Sequence, residues 1–181
     1  MPRFVVLLRG VNVGKGNKVP MAEFRELLEG LGYSAVKTLL NSGNAVFTAT
    51  GRDALKHATK IAAGVEKQFH VVTPVIVKSA AEFAAIVAGN PIVPPESDHS
   101  RCLVVFSMDA ARTRELDALQ PLVQAPERLV VSANAAFLHC AIGILESKVG
   151  AALLGKAGRG VTTRNWATVL KLSSLLNESA G

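Results

Sequence analysis

Ten residues near the start of the chain concentrate the groups that hold an anion: Arg9-Gly10-Val11-Asn12-Val13-Gly14-Lys15-Gly16-Asn17-Lys18. Glycines there let backbone amides turn inward, while Arg9, Lys15 and Lys18 add fixed positive charge. A helix beginning just after the loop lends its positive end. A phosphate or a carboxylate is the guest such a set recognises. The ligand-binding candidates are therefore Arg9, Gly10, Asn12, Gly14, Lys15, Gly16, Asn17 and Lys18. The spacing fails both familiar nucleotide fingerprints. Gly10 and Gly14 enclose fewer residues than a Walker loop needs, and Gly16 stands where Ser or Thr would meet magnesium. After Gly14-Lys15-Gly16 the third glycine of the dinucleotide pattern is missing.

Two more segments carry polar groups that could face a ligand. Asn41-Ser42-Gly43-Asn44 reads first as a tight turn. Amides and carboxamides at such a tip add Ser42 and Asn44 to the candidates. No GxSxG surrounds Ser42, so it is not read as a nucleophile. Thr162-Thr163-Arg164-Asn165-Trp166 reads as the start of the last helix, near Thr162 or Thr163, with threonine hydroxyls as caps. Arg164 would oppose the helix dipole in that first turn, which points to a carboxylate partner or a bound anion. Thr163 and Arg164 complete the set. His57, His70, His99 and His139 show no paired spacing, so neither a metal site nor a cofactor is expected. Cys102 and Cys140 lie far apart with no CxxC and read as buried free thiols.

Periodicity supplies the scaffold for these groups. Phe4 to Leu8 is a short apolar run of the kind that forms a buried central strand. Pro20 suits the first helical position, Met21, Phe24, Leu27, Leu28 and Leu31 recur at helical spacing, and Gly32 closes that helix. Val36–Leu40 and Ala45–Thr48 flank the turn as a hairpin. Leu55, Ala58, Ile61, Ala62, Val65 and Phe69 share one face of a second helix. Val71–Val77 is expected to be the next strand, and Ser79-Ala80-Ala81-Glu82 is a capping box. The second part repeats the order. A strand covers Arg101–Ser107, and a helix covers Arg112–Gln120, stopped by Pro121. A hairpin joins Arg128–Val131 to Ala136–Cys140, and a helix covers Lys148–Leu154. The final helix turns Trp166, Val169, Leu170 and Leu176 inward. The fold class is α+β: two tandem ferredoxin-like (βαββαβ-type) subdomains, the second ending in helices. Residues 1–89 form the first, a Pro-rich linker spans 90–100, and residues 101–181 form the second.

Composition narrows the class. Of 181 residues, 49% are hydrophobic and 19% charged, which excludes a disordered chain. The longest apolar runs fall far short of the ~20 residues that cross a bilayer. No signal peptide is read at the N-terminus, so a cytoplasmic location and no membrane partner are expected. The net charge of +6 is unevenly spread: residues 1–78 hold 11 basic and 5 acidic side chains, while the remainder balances. Such a bias attracts phosphates and polyanions, and it also serves solubility.

Several of these motifs match a known pattern. Arg9-Gly10-Val11-Asn12-Val13-Gly14, Asn17-Lys18-Val19-Pro20-Met21, Ser42-Gly43-Asn44 with Val46-Phe47, Ser147-Lys148, and Thr162-Thr163-Arg164-Asn165-Trp166 with Thr168-Val169 resemble the signatures of the bacterial domain of unknown function 1697 family. Members often read Gly-Gly-Lys where this chain has Gly14-Lys15-Gly16, and Asn where it has Ala167. The resemblance implies a cytoplasmic α+β protein of two ferredoxin-like halves and supplies no catalytic residues.

Three functions are compatible with these observations. The basic half binds a phosphorylated or other anionic small molecule, or nucleic acid, at the loop 9–18. Alternatively the chain is a small phosphate-ester or acyl-phosphate hydrolase, with Arg9 cradling the phosphate and Asn41 or Asn44 orienting water; this rests on analogy of fold alone. A structural or interaction protein is the third. Oligomeric state is not legible here.

Overall fold

Residues 1–178 are described in a computed structural model of the chain. The architecture is a mixed α+β fold with two four-stranded antiparallel sheets. Two units divide the chain, one comprising Met1–Ala85 and the chain from Leu172, the other Ile86–Lys171.

In the first unit the strands are β1 (Arg3–Leu8), β2 (Ser34–Leu39), β3 (Asn44–Thr48) and β4 (Val75–Ser79), in the order β2-β3-β1-β4. β1 is central: Phe4 pairs with Phe47 on one side, and Leu8 with Val75 on the other. Phe4 to Leu8 are all buried, which is why the strand reads as an unbroken apolar run. β2 lies at the edge, and of its residues only Val36 is buried.

Helix α1 (Met21–Gly30) begins one residue later than expected, because Pro20 is the residue before the first helical one. Its end is a Schellman motif: Gly32, at φ +89°, donates its N–H to Glu29 O, and Tyr33 donates to Leu28 O. Helix α2 (Ala54–Phe69) is capped by the Asp53 carboxylate, which accepts from the Lys56 N–H at 3.1 Å. Ala58, Ile61 and Val65 are buried as the periodicity requires, but Leu55 is exposed at the first turn. β4 starts at Val75 rather than Val71. Pro74 has no N–H to give a ladder, so residues 70–74 form a connection instead.

Helix α3 (Ala80–Ala88) opens on the capping box: the Ser79 N–H donates to Glu82 Oε2 at 2.8 Å, and the Glu82 N–H donates to Ser79 Oγ at 3.2 Å. Pro91, Pro94 and Pro95 follow, and then a 3-10 turn over Glu96–Arg101.

The second sheet is built from β5 (Cys102–Ser107), β6 (Arg128–Val131), β7 (Ala136–His139) and β8 (Val161–Asn165), in the order β6-β7-β5-β8. The helix expected over Arg112–Gln120 is shorter and earlier. It is α4 (Ala110–Glu115), capped by Asp109, and a 3-10 segment Leu116–Leu122 with Pro121 inside it follows. Helix α5 (Lys148–Leu154) is capped by Ser147, whose hydroxyl accepts from the Gly150 N–H at 2.9 Å and donates to the buried Glu127 carboxylate.

The largest correction concerns the last segment. Val161 to Asn165 are a strand, and helix α6 (Trp166–Asn177) begins only after them. Asn165 Oδ1 accepts from the Thr168 N–H at 2.9 Å, so asparagine is the cap and not Thr162 or Thr163. Val169, Leu172 and Leu176 turn inward, Trp166 is half-buried, and Leu170 faces out.

The end of α6 returns to the first strand. Arg3 Nη1 donates to the carbonyls of Leu176 and Glu178, and Nη2 to Leu175 O at 2.8 Å. A guanidinium thus caps the negative end of the helix and satisfies carbonyls that have no partner within it.

Candidate anion-binding site

Three connections meet at one end of the first sheet: the loop after β1, the turn between β2 and β3, and residues 70–74 before β4. Leu8 N–H donates to Gly43 O at 2.8 Å, Arg9 N–H donates to Pro74 O at 3.2 Å, and the Thr73 hydroxyl donates to Arg9 O. The chain therefore leaves β1 braced from both sides.

Asn12 organises the loop itself. Its Nδ2 donates to Val19 O at 2.7 Å and to Asn41 O at 2.8 Å, and its Oδ1 accepts from the Val19 N–H at 2.8 Å. Its own N–H donates to Asn17 O at 3.0 Å. One carboxamide thus closes the loop at its base and ties it to the hairpin. Gly10, Asn12, Gly14 and Asn17 all have positive φ, between 50° and 63°, conformations that glycine and asparagine tolerate best. Val11 and Val19 are buried and anchor the two ends. Between them Val13, Gly14, Lys15, Gly16, Asn17 and Lys18 are exposed, and Arg9 is half-buried.

The loop and the hairpin are brought together as a single surface, but not every candidate faces a ligand. Asn12 is a brace, and the Asn17 carboxamide donates back to Gly10 O at 3.3 Å. Ser42 is exposed. Asn44 is fully buried, and its Nδ2 donates to Leu39 O at 2.9 Å and to Ser42 Oγ at 2.8 Å. Gly43 is held tightly at φ +80°: a Cβ there would lie 2.6 Å from Leu8 Cβ and 2.8 Å from Val11 Cγ2. Glycine is required at that turn. Thr73 and Pro74, which fix the exit of β1, are hidden in the sequence within an apolar stretch that reads as a strand. Pro74 is the one signal that could have revealed them.

Thr163 and Arg164 belong to the second unit, on β8. Arg164 is buried, so it does not open a helix. Its Nη1 donates to Thr162 Oγ1 and Thr163 O, both at 2.7 Å. Burial pulls its pKa down to about 10.

The histidines are dispersed. The Asp98 carboxylate lies 2.9 Å from His139 Nε2, and His57 packs with Tyr33. Among the described residues, no three His, Cys, Asp or Glu gather to hold a metal. Cys102 and Cys140 are free and buried, and burial raises each thiol to about 11.

A family model described as protein of unknown function (DUF1697) matches residues 1–137. The chain belongs to this family. The matched stretch contains the loop, the hairpin and the 70–74 connection, and it ends before Thr163 and Arg164. The fold is also similar to that of the conserved bacterial protein SP0830 from Streptococcus pneumoniae. The two chains are 23% identical, with a TM-score of 0.77 over 97% of this chain and 99% of the other. No curated protein matches. Among the described residues, no helix is long and apolar enough to cross a membrane.

Proposed function

We propose that this family member is a cytoplasmic binding protein whose first unit takes a small phosphorylated or similarly anionic molecule at the loop 9–18, next to the 41–44 turn. The observation that carries this reading is the exposed run Gly14-Lys15-Gly16-Asn17-Lys18, presented on a base that Asn12 locks to the hairpin. A rigid base holds exposed lysines and glycine amides in place, which lowers the ordering cost of binding. The loop lies within residues 1–78, the stretch that carries the excess positive charge. Each unit reads as a ferredoxin-like βαββαβ layer, and the strand orders β2-β3-β1-β4 and β6-β7-β5-β8 support that reading.

A small ligand is favoured over nucleic acid by the state of the first sheet. Base recognition on such a sheet stacks bases on exposed aromatics. Here Phe4 and Phe47 are fully buried, and β1 and β3 are buried on both faces. The hydrolase reading loses Asn44, whose carboxamide hydrogens are already donated within the turn.

Thermal-shift measurements with inorganic phosphate and a panel of phosphorylated metabolites test the proposal. A saturable rise in Tm is expected, reduced in the Lys15→Ala/Lys18→Ala variant. An equal rise in that variant, or none in either protein, overturns it. Binding to a single-stranded RNA that weakens steeply with salt would favour nucleic acid instead.

A further inference from the structure

At the opposite end of the same sheet, where β2 begins and β3 ends, lies a second basic pocket that the proposed function does not use. Its volume is about 290 Å³, and Gly32, Tyr33, Gly51, Lys56, His57 and Lys60 form much of its wall. The floor is a chain of hydrogen bonds. His57 Nε2 lies 3.0 Å from Gly51 O, and a carbonyl only accepts, so that nitrogen carries the proton. In the neutral ring Nδ1 is then the acceptor, and the Tyr33 hydroxyl donates to it at 3.0 Å. Phe4 and Phe47 pack behind both rings, with the Phe4 and His57 centroids 4.8 Å apart and those of Tyr33 and Phe47 4.4 Å apart. Aromatic packing and two hydrogen bonds hold the floor rigid.

The rim carries the charge. Lys60 Nζ sits 5.5 Å from the Tyr33 ring centroid and donates one hydrogen to Leu31 O at 2.6 Å. Two contacts fix an ammonium that would otherwise swing freely, and its other hydrogens remain to be donated. Lys56, one helical turn earlier on α2, also lines the pocket. No carboxylate is in the lining, and among the described residues the one acid paired with a rim lysine is Asp53, whose Oδ2 lies 3.9 Å from Lys56 Nζ at the exposed start of α2. Gly51 leaves room beside the imidazole, since a Cβ there would already touch His57 Cε1 at 3.5 Å.

We infer that this pocket is a binding site for a phosphate monoester, with the dianion between Lys56 and Lys60 and a small organic remainder against the Tyr33–His57 floor. Two ammonium groups, of which only Lys56 has an acidic neighbour among the described residues, the solvent-exposed Asp53 at 3.9 Å, match a doubly charged group better than a single carboxylate. The volume suits a molecule of metabolite size.

The site is independent of the loop at the other end, and two charge-removing variants separate them. In Lys56→Met/Lys60→Met the aliphatic stems stay and the charges go. Titration calorimetry uses inorganic phosphate and glycerol 3-phosphate as probes, alongside the Lys15→Ala/Lys18→Ala protein. At low salt, glycerol 3-phosphate is expected to bind the wild type more tightly than inorganic phosphate does. The pocket variant should lose this component by at least about tenfold in affinity, and the loop variant should keep it. Backbone amide and His57 ring resonances should shift with the ligand.

Unchanged binding to a pocket variant that retains its circular dichroism overturns the inference. So does the absence of any ligand-dependent shift at Gly51 and His57. If Lys60 serves only to cap the end of α1, the variant loses stability while Lys56→Met alone leaves glycerol 3-phosphate affinity untouched; that result also overturns it.

Discussion

Asn12 shows how one side chain can be mistaken for a ligand contact. Its type and its place in a glycine-rich loop suit an anion cradle, yet both ends of its carboxamide are spent on Val19 and Asn41. Sequence shows that a polar residue is present but not which way it faces. Asn44 makes the same point, because its burial at the start of β3 follows from pairing with Leu7 on the central strand. Replacing Asn12 by Ala removes three side-chain hydrogen bonds and leaves a non-glycine residue at φ 57°. The expected cost is about 2–4 kcal/mol, measured by urea denaturation. Asn12→Gly keeps the backbone conformation and should cost less. The thiols give a second prediction at this scale. In the unfolded chain Cys102 and Cys140 titrate near the ordinary 9.0, whereas in the folded protein burial raises them to about 11. Between those values the unfolded state holds fewer protons, so stability falls as pH climbs from 9 toward 11. Burial raises Tyr33 in the same direction and adds to the slope. Urea midpoints across that range should decline, and less steeply in Cys102→Ala/Cys140→Ala.

At the level of elements, the parts with strong local signals were legible. β1, the β2–β3 hairpin, the capping box of α3 and helix α5 lie where apolar runs, turn formers and a Ser-x-x-Glu pattern place them. The failures occur where two local rules compete. Thr162 and Thr163 are good caps and also good strand formers, and pairing with Phe106 and Val105 on β5 decides for the strand. Apolar Val71 and Val72 extend the pattern of β4 backwards, but Pro74 interrupts its hydrogen bonding. The clamp between Arg3 and the end of α6 was invisible, since it joins residues more than 170 positions apart. Arg3→Met should destabilise the protein by about 1–2 kcal/mol. Hydrogen exchange should quicken at residues 172–177, and the loop 9–18 should be unaffected. Loss of Glu178, whose partner Lys37 is half exposed, should matter far less.

For the whole molecule, the informative quantity was the distribution of charge rather than its total. All of the +6 excess falls within residues 1–78, all inside the first unit. The second unit, with its buried Arg164 and free thiols, holds 9 basic and 7 acidic side chains, a smaller surplus than the 11 and 7 of the first. That asymmetry makes the first unit the place to look for an anionic ligand, and the structure supplies the braced loop on which it would act. Amide resonances of the first unit, followed during titration with inorganic phosphate, test this most directly. Saturable shifts at Gly14, Lys15, Gly16 and Lys18, lost in Lys15→Ala/Lys18→Ala, are the predicted result. Loop amides that stay still at every phosphate concentration, or that drift linearly without saturation, would contradict it.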